Sequence, residues 1–252
     1  MAKQLVIGTG KLGKRFYHYL ESLGLSVITL SKSAKPWSKN HIQCDLLAKD
    51  FVLPTLPEVE NLYIILAPSE RTEAAYKATY IDAVANLLKQ LKVQQPKLHC
   101  TFLSATSVYG SRQLGLIDEA SSPLPDNFRG ELLLEAEKQV KKLAPSSSIV
   151  RASGLYSRQR PRLTESLTNS ENISNPKWLN LIHEDDLCHW LYQASYNQWP
   201  LSIASDGAPF TRAHLHEEKS KIQDEHYRQF KSQYLDFIQL KNSSFTEWLK
   251  DQ

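Results

Sequence analysis

Three of the chain's nine glycines stand at positions 8, 10 and 13, in the run Gly8-Thr9-Gly10-Lys11-Leu12-Gly13. The apolar residues 4–7 precede this run, and residues 11–23 follow it with apolar side chains at helical spacing. Glycine at the first position permits a turn too tight for a side chain, and at the last it lets a helix lie directly on the preceding strand. The run therefore commits the start of the chain to a strand, a sharp turn and a helix folded back against the strand.

The alternation continues downstream. Strands are predicted at 4–7, 26–30, 62–67, 100–104 and 148–151, and helices near 11–23, 71–92, 130–143 and 184–196. Short apolar runs separated by helical patterns imply βαβ units with right-handed crossovers. The fold class expected is α/β: a Rossmann-type doubly wound parallel sheet with a small C-terminal lobe. Residues 1–156 form the dinucleotide-binding core in this reading. Residues 157–252 carry a substrate-side loop, the last core elements at about 178–206, and the lobe. The polar stretch 157–175 breaks the pattern and reads as a long loop, and after Gly207 the chain reads as helical and highly charged. The length of 252 residues and 41% hydrophobic content suit one core with an appended lobe.

A net charge of +3 without a dense basic run argues against a nucleic-acid arm. The nearest candidate, Arg158-Gln159-Arg160-Pro161-Arg162, reads either as a solvated loop or as a clamp for an anionic ligand. Cys44, Cys100 and Cys188 are odd in number and far apart, which fits reduced thiols better than a disulfide framework or a metal site, and none is expected. No apolar stretch is long enough to span a bilayer and no signal peptide is evident, so a soluble cytoplasmic protein is expected.

The glycine run also has a ligand chemistry. Gly8 makes the tight turn, Gly10 lets backbone approach a pyrophosphate, and Gly13 packs helix on strand, while Lys11, Leu12 and Gly13 offer the N–H groups of a helix start to negative charge. A NAD site would place an acidic residue at the end of the second strand to hold the ribose hydroxyls. Here Ser31-Lys32-Ser33 stand there instead. A lysine with flanking hydroxyls accepts a 2′-phosphate that a carboxylate repels, so NADP(H) is the expected cofactor, with NAD(H) the alternative.

Further landmarks follow in order. They are Asp45-Leu46; Ala67-Pro68; Tyr80-Ile81-Asp82; Ser104-Ala105-Thr106-Ser107-Val108-Tyr109-Gly110; Asp118-Glu119; Ile182-His183-Glu184-Asp185-Asp186; and Ser205-Asp206-Gly207 before Pro209. In this order they resemble the short-chain dehydrogenase/reductase superfamily, most of all its extended and atypical NAD-dependent epimerase/dehydratase members, over about the first 210 residues. The resemblance implies that Asp45 and Leu46 meet adenine, that Ala67 and Pro68 line the cofactor, and that the turn around Tyr109 borders the reacting centre. It also implies a small-molecule substrate and allows a homodimer. His183 reads more readily as structural than as catalytic, and Asp185-Asp186 as the acidic first turn of a helix.

The departure from the family is in its chemistry. Members carry Tyr-x-x-x-Lys on the helix after the fifth strand, and a Ser or Thr in the preceding turn. Aligned on Gly130 and Glu137, this chain puts Arg129 at the tyrosine position and Leu133 at the lysine position, with Ala105 at the Ser/Thr position. Tyr227-Arg228-Gln229-Phe230-Lys231 spells the motif far downstream and reads as coincidence. An arginine stays protonated and makes a poor general acid or base, but it can stabilise charge. The catalytic candidates are therefore Ser104, Thr106, Ser107 and Tyr109, with Arg129 as an electrostatic element. Two readings stand: an atypical oxidoreductase or epimerase acting on a small sugar-like or anionic substrate, or a catalytically silent NADP(H)-binding regulator.

Overall fold

The computed structural model describes residues 3–169 and 173–252. Its main sheet has seven strands: β1 (Lys3–Ile7), β2 (Ser26–Ser31), β3 (His41–Gln43), β4 (Asn61–Ile64), β5 (His99–Ala105), β7 (Ser146–Ala152) and β10 (Leu201–Ala204). Their order across the sheet is β10-β7-β5-β4-β1-β2-β3, and every pairing is parallel. The order reverses between β1 and β4, which opens a crevice at the carboxyl ends of those two strands.

Helices cover both faces. On one, α1 (Lys11–Ser22) and α6 (Glu184–Tyr196) bury Phe16, Leu20, Leu187, Trp190 and Leu191 against the sheet. On the other lie α3 (Val84–Gln94) and α4 (Phe128–Leu143), with Leu87, Leu91, Ala136 and Val140 in the larger core. A short helix α2 (Glu73–Tyr76) runs through a π-helical turn at Lys77–Ala83 into α3, so the predicted helix near 71–92 is one continuous rod with a widened middle.

Two small parallel sheets lie beyond the carboxyl edge of the main sheet. One joins β6 (Gly115–Ile117) to β11 (Arg228–Phe230), and the other joins β8 (Gly154–Tyr156) to β9 (Leu181–His183). The rest of the lobe is α5 (Pro161–Thr168), α7 (Arg212–Leu215) and α8 (Phe245–Lys250), gathered on Tyr156, Leu167, Leu181, Phe210 and Phe245. The stretch 157–175 is thus no plain loop. Pro161 starts α5, and Leu163 and Leu167, one turn apart, seat it on the lobe's aromatic cluster. Nor is the chain beyond Gly207 mainly helical. Its α-helices span four and six residues, with single 3₁₀ turns between them, and aromatic anchors such as Phe210 and Phe245 hold it in place of a continuous apolar stripe. Residues 170–172 of the predicted loop lie outside the described residues.

His99 shows how the polar interior is satisfied. Its two ring nitrogens meet Ser146 Oγ at 2.8 Å and Ser148 Oγ at 2.9 Å, bridging β5 to β7, and burial lowers its pKa. The folded state therefore refuses a proton that the unfolded chain accepts near 6.5. The stability tied to His99 is present above that value and is lost as pH falls from it toward the lower folded-state pKa. In urea unfolding, the wild type should lose more of its midpoint between neutral and mildly acidic pH than His99→Gln. Equal losses would show that other groups carry the pH dependence.

Candidate functional site

The β1–α1 turn sits at the crevice. Gly8 has φ +93°, and a Cβ there would lie 2.2 Å from the Ile65 carbonyl oxygen at the end of β4. A Cβ on Gly13 would lie 1.9 Å from the Gly8 carbonyl oxygen. Gly10 differs, since a Cβ on it would meet nothing within 4 Å. It caps α1 without a side chain, so the N–H groups of Lys11, Leu12 and Gly13 have no carbonyl behind them. Thr9 Oγ1 is buried beside them without a partner among the described residues. An open approach to backbone, free helix-start donors and an orphaned hydroxyl fit the pyrophosphate of a dinucleotide.

On the side of β1 away from β4, Ser31 and Lys32 leave β2 next to Asp45. Lys32 Nζ stands 2.9 Å from Asp45 Oδ2, and this hydrogen bond holds the Asp45 carboxyl below the usual range. Ser31 Oγ donates to the Ser33 carbonyl at 3.0 Å, and Leu46 is buried behind them. Ala67 and Pro68 follow β4, just past the Ile65 carbonyl that closes on Gly8. The structure thus brings the predicted cofactor residues to one edge, and Lys32 reaches it already paired.

The predicted catalytic residues divide. Ser104 Oγ donates to Glu137 Oε1 at 2.6 Å, inside the core. Arg151 holds the same carboxylate through Nε at 3.0 Å and Nη2 at 2.6 Å, and its Nη1 donates to Tyr109 Oη at 2.8 Å. Tyr109 Oη donates in turn to the Asp118 carbonyl at 3.1 Å, and burial raises its pKa. Tyr109 is 0% exposed, so its hydroxyl belongs to this network and not to the cleft. Removing one partner of a buried pair like Glu137–Arg151 costs roughly 3–5 kcal/mol, because the other charge is left unpaired. Thr106 and Ser107, one turn earlier, do line the cleft. Gly130 permits that arrangement, since a Cβ on it would lie 2.5 Å from the Ser107 carbonyl oxygen and push α4 off the turn. On α4, Arg129 is exposed with its guanidinium 5.6 Å from the Phe128 ring centroid, and Leu133 points into the core.

The cleft has a volume of about 640 Å³ between the Thr106–Ser107 turn and the lobe. Its far wall carries Arg228, a residue the sequence patterns did not single out. Arg228 Nε and Nη2 are buried without a partner among the described residues, and burial lowers the guanidinium pKa. Asn180 fixes its strand, with Nδ2 donating to the Arg228 carbonyl at 3.0 Å and Oδ1 accepting from Phe230 N–H at 2.8 Å. Asp126 acts on Arg228 electrostatically but makes no ion pair with it. Tyr227 and Lys231 flank this strand, roughly 13 Å apart by strand geometry and so unable to work as a pair.

The acidic run after β9 anchors chain segments. His183 Nδ1 accepts from Asp185 N–H at 3.2 Å and caps α6. Asp185 pairs with Arg15, and Asp186 takes Lys241 N–H at 2.7 Å and Asn242 N–H at 3.1 Å. Glu184, wholly buried, takes Ser157 Oγ and Arg160 Nε. Among the described residues no helix is long and apolar enough to cross a membrane.

No protein-family model and no curated protein matches the chain. Solved structures do. A Methylobacillus flagellatus protein classed with the NAD-dependent epimerase/dehydratases shares 24% identity, over 99% of this chain and 97% of that one, at a TM-score of 0.76. MoeE5, solved with UDP-glucose and NAD, shares 17% over 100% and 97%, also at 0.76. A short-chain dehydrogenase/reductase superfamily protein from Agrobacterium tumefaciens, with bound NAD, shares 12% over 99% and 95%, again at 0.76. These likenesses, at 24% identity or less, define the fold: a Rossmann-type doubly wound α/β sheet, shared along nearly the whole length of each chain.

The three glycines should respond differently to a methyl group. Gly13→Ala forces a backbone clash and should cost about 1–3 kcal/mol or prevent folding. Gly10→Ala meets open space and should leave the thermal midpoint nearly unchanged. Equal midpoints for the two variants would contradict the packing described for the turn.

Proposed function

We propose that this protein binds a nicotinamide dinucleotide, NADP(H) in preference to NAD(H), and presents it to a small anionic or sugar-like substrate in the adjoining cleft. One observation carries the reading: the open backbone at Gly10 lies at the same sheet edge as a cleft whose far wall holds a half-buried guanidinium, stacked on Phe230, with two N–H donors unoccupied among the described residues and no carboxylate paired to it. A charge left unpaired in a low-dielectric wall is costly, and an anionic ligand offsets that cost. Solved structures of the same fold hold NAD, and in one case UDP-glucose as well, which supports a nicotinamide dinucleotide beside a substrate cleft.

The bound dinucleotide supplies or accepts a hydride. The chain's own residues do the rest. N–H groups of Lys11, Leu12 and Gly13 hold the pyrophosphate. Gly8, Leu46, Ala67 and Pro68 shape the trough, and Ser31, Lys32, Ser33 and Asp45 meet the adenosine. Lys32 is exposed and its pair with Asp45 is worth under about 1 kcal/mol, so a 2′-phosphate can displace the carboxylate. Thr106 and Ser107 place hydroxyls where they orient a substrate oxygen. Ser104 and Tyr109 act behind them by fixing the turn through Glu137 and Arg151. Arg129, at the α4 start, contributes positive charge and no proton transfer. Three free thiols and the absence of an apolar spanning helix among the described residues support a cytoplasmic assignment.

A second reading has its own support. With Leu133 in the core and an arginine on the preceding turn, α4 offers no tyrosine acid beside the cleft, which favours a silent regulator that reports cofactor state. Turnover of NADPH with a panel of carbonyl and nucleotide-sugar substrates, lost in Thr106→Ala/Ser107→Ala, supports the enzyme. Binding without turnover, together with a protein partner retained only in one redox state of the cofactor, supports the regulator.

Calorimetric titration should show micromolar binding of NADPH and weaker binding of NADH. Lys32→Asp should weaken NADPH about tenfold more than NADH, by replacing attraction with repulsion at the 2′-phosphate. Equal effects on both would remove the NADP(H) preference. Gly10→Val should abolish binding of either; unchanged affinity would remove the dinucleotide assignment.

A further inference from the structure

The three arginines of the run 158–162 are turned to three different places. Arg158 Nε donates to Gln252 Oε1 at 2.6 Å, out on the lobe. Arg160 Nε donates to buried Glu184 at 2.7 Å, which pins the base of the segment to the start of α6. Arg162, in the first turn of α5, forms no hydrogen bond or ion pair among the described residues. It lines a cavity of about 630 Å³ together with Arg71, from the loop after β4, and Lys11, from the glycine turn. Arg71 is likewise without a partner among the described residues. The lining holds Arg160 as well and no acidic side chain. Lys11 Nζ, 3.4 Å from the Gln159 carbonyl, ties the segment to the turn.

Arg160 is neutralised by Glu184, but Arg71, Arg162 and Lys11, exposed to solvent around one cavity, have no carboxylate partner among the described residues, and such an arrangement attracts a ligand carrying concentrated negative charge. Arginine forks suit phosphate oxygens in particular. The cavity adjoins the helix start that holds the pyrophosphate in the reading above. We propose that Arg71 and Arg162 close on a phosphate-bearing ligand group, the cofactor's pyrophosphate, so that the segment 157–163 is the outer wall of the dinucleotide site. This rests on the dinucleotide assignment. Glu184, through Ser157 and Arg160, acts as the positioning residue that holds this wall in place.

The test is a fluorescence titration of the full chain with NADH at low and high sodium chloride, with inorganic pyrophosphate as competitor and inorganic phosphate titrated separately. Arg71→Ala and Arg162→Ala should each weaken NADH and pyrophosphate by about tenfold, and the double variant should lose most of the salt dependence of affinity. Arg158→Ala, whose side chain is held away on Gln252, should bind as the wild type does. If the double variant binds NADH as tightly as the wild type, the clamp is wrong. The same result with loss of inorganic phosphate binding assigns the cavity to a substrate's own phosphate, and also overturns it. A wild type that binds neither NADH nor NADPH in the same titration removes the dinucleotide assignment itself, and the clamp with it.

Discussion

The contact between Gly13 and the Gly8 carbonyl sets the geometry on which the site depends. With no Cβ in the way, α1 begins directly on the end of β1, and Gly8 in turn lies against the last residues of β4. Two backbone approaches of this closeness place a helix start at the point where the strand order reverses. Everything assigned to ligand binding is arranged around that point: the open approach at Gly10, the orphaned Thr9 hydroxyl and the cationic cavity beyond Lys11.

A second constraint is the use of buried carboxylates as fasteners. Glu137 joins β5, α4 and β7 through Ser104 and Arg151. Glu119 accepts the Ile203 N–H of the edge strand β10 at 2.9 Å, and also takes Ser232 and the Gln233 N–H, so one loop holds both sheet edge and C-terminal segment. Asp186 and Glu184 do the same for residues 241–242 and 157–160. Glu137, Glu184 and Asp186 are stable in the interior because their oxygens are occupied by donors, as burial of charge requires, and the half-buried Glu119 is satisfied in the same way. The lobe, poor in regular structure, is therefore attached by specific polar contacts as well as by the Tyr156–Phe210–Phe245 cluster.

The same economy of polar groups separates the residues that face the cleft from those that support it. Ser104 and Tyr109 look like catalytic groups in a linear pattern, yet their hydroxyls are consumed by Glu137, Arg151 and the Asp118 carbonyl. Thr106 and Ser107 remain at the cleft. Arg228 is the inverse case: it looks like one charge among many in a polar tail, and the fold lays it half-buried over Phe230 in a wall, with two of its N–H donors unoccupied among the described residues.

The sequence by itself determined the alternating α/β core, because strand and helix periodicities and the spacing of Gly8, Gly10 and Gly13 are local properties of the chain. It also determined the order of landmarks from Asp45 to Gly207, and the presence of Arg129 and Leu133 on the segment that forms α4. The short strands β3, β6, β8, β9, β10 and β11 were not legible, since three or four residues carry no periodic signal and exist only through their partners. Helix α5 was hidden by its polar surface, because the two leucines that seat it have meaning only against Phe210 and Phe245. Tertiary structure alone decided which of Arg158, Arg160 and Arg162 is free, which hydroxyls face the cleft, and where Arg228 lies. Pairing and burial are relations between distant residues, and no local pattern records them.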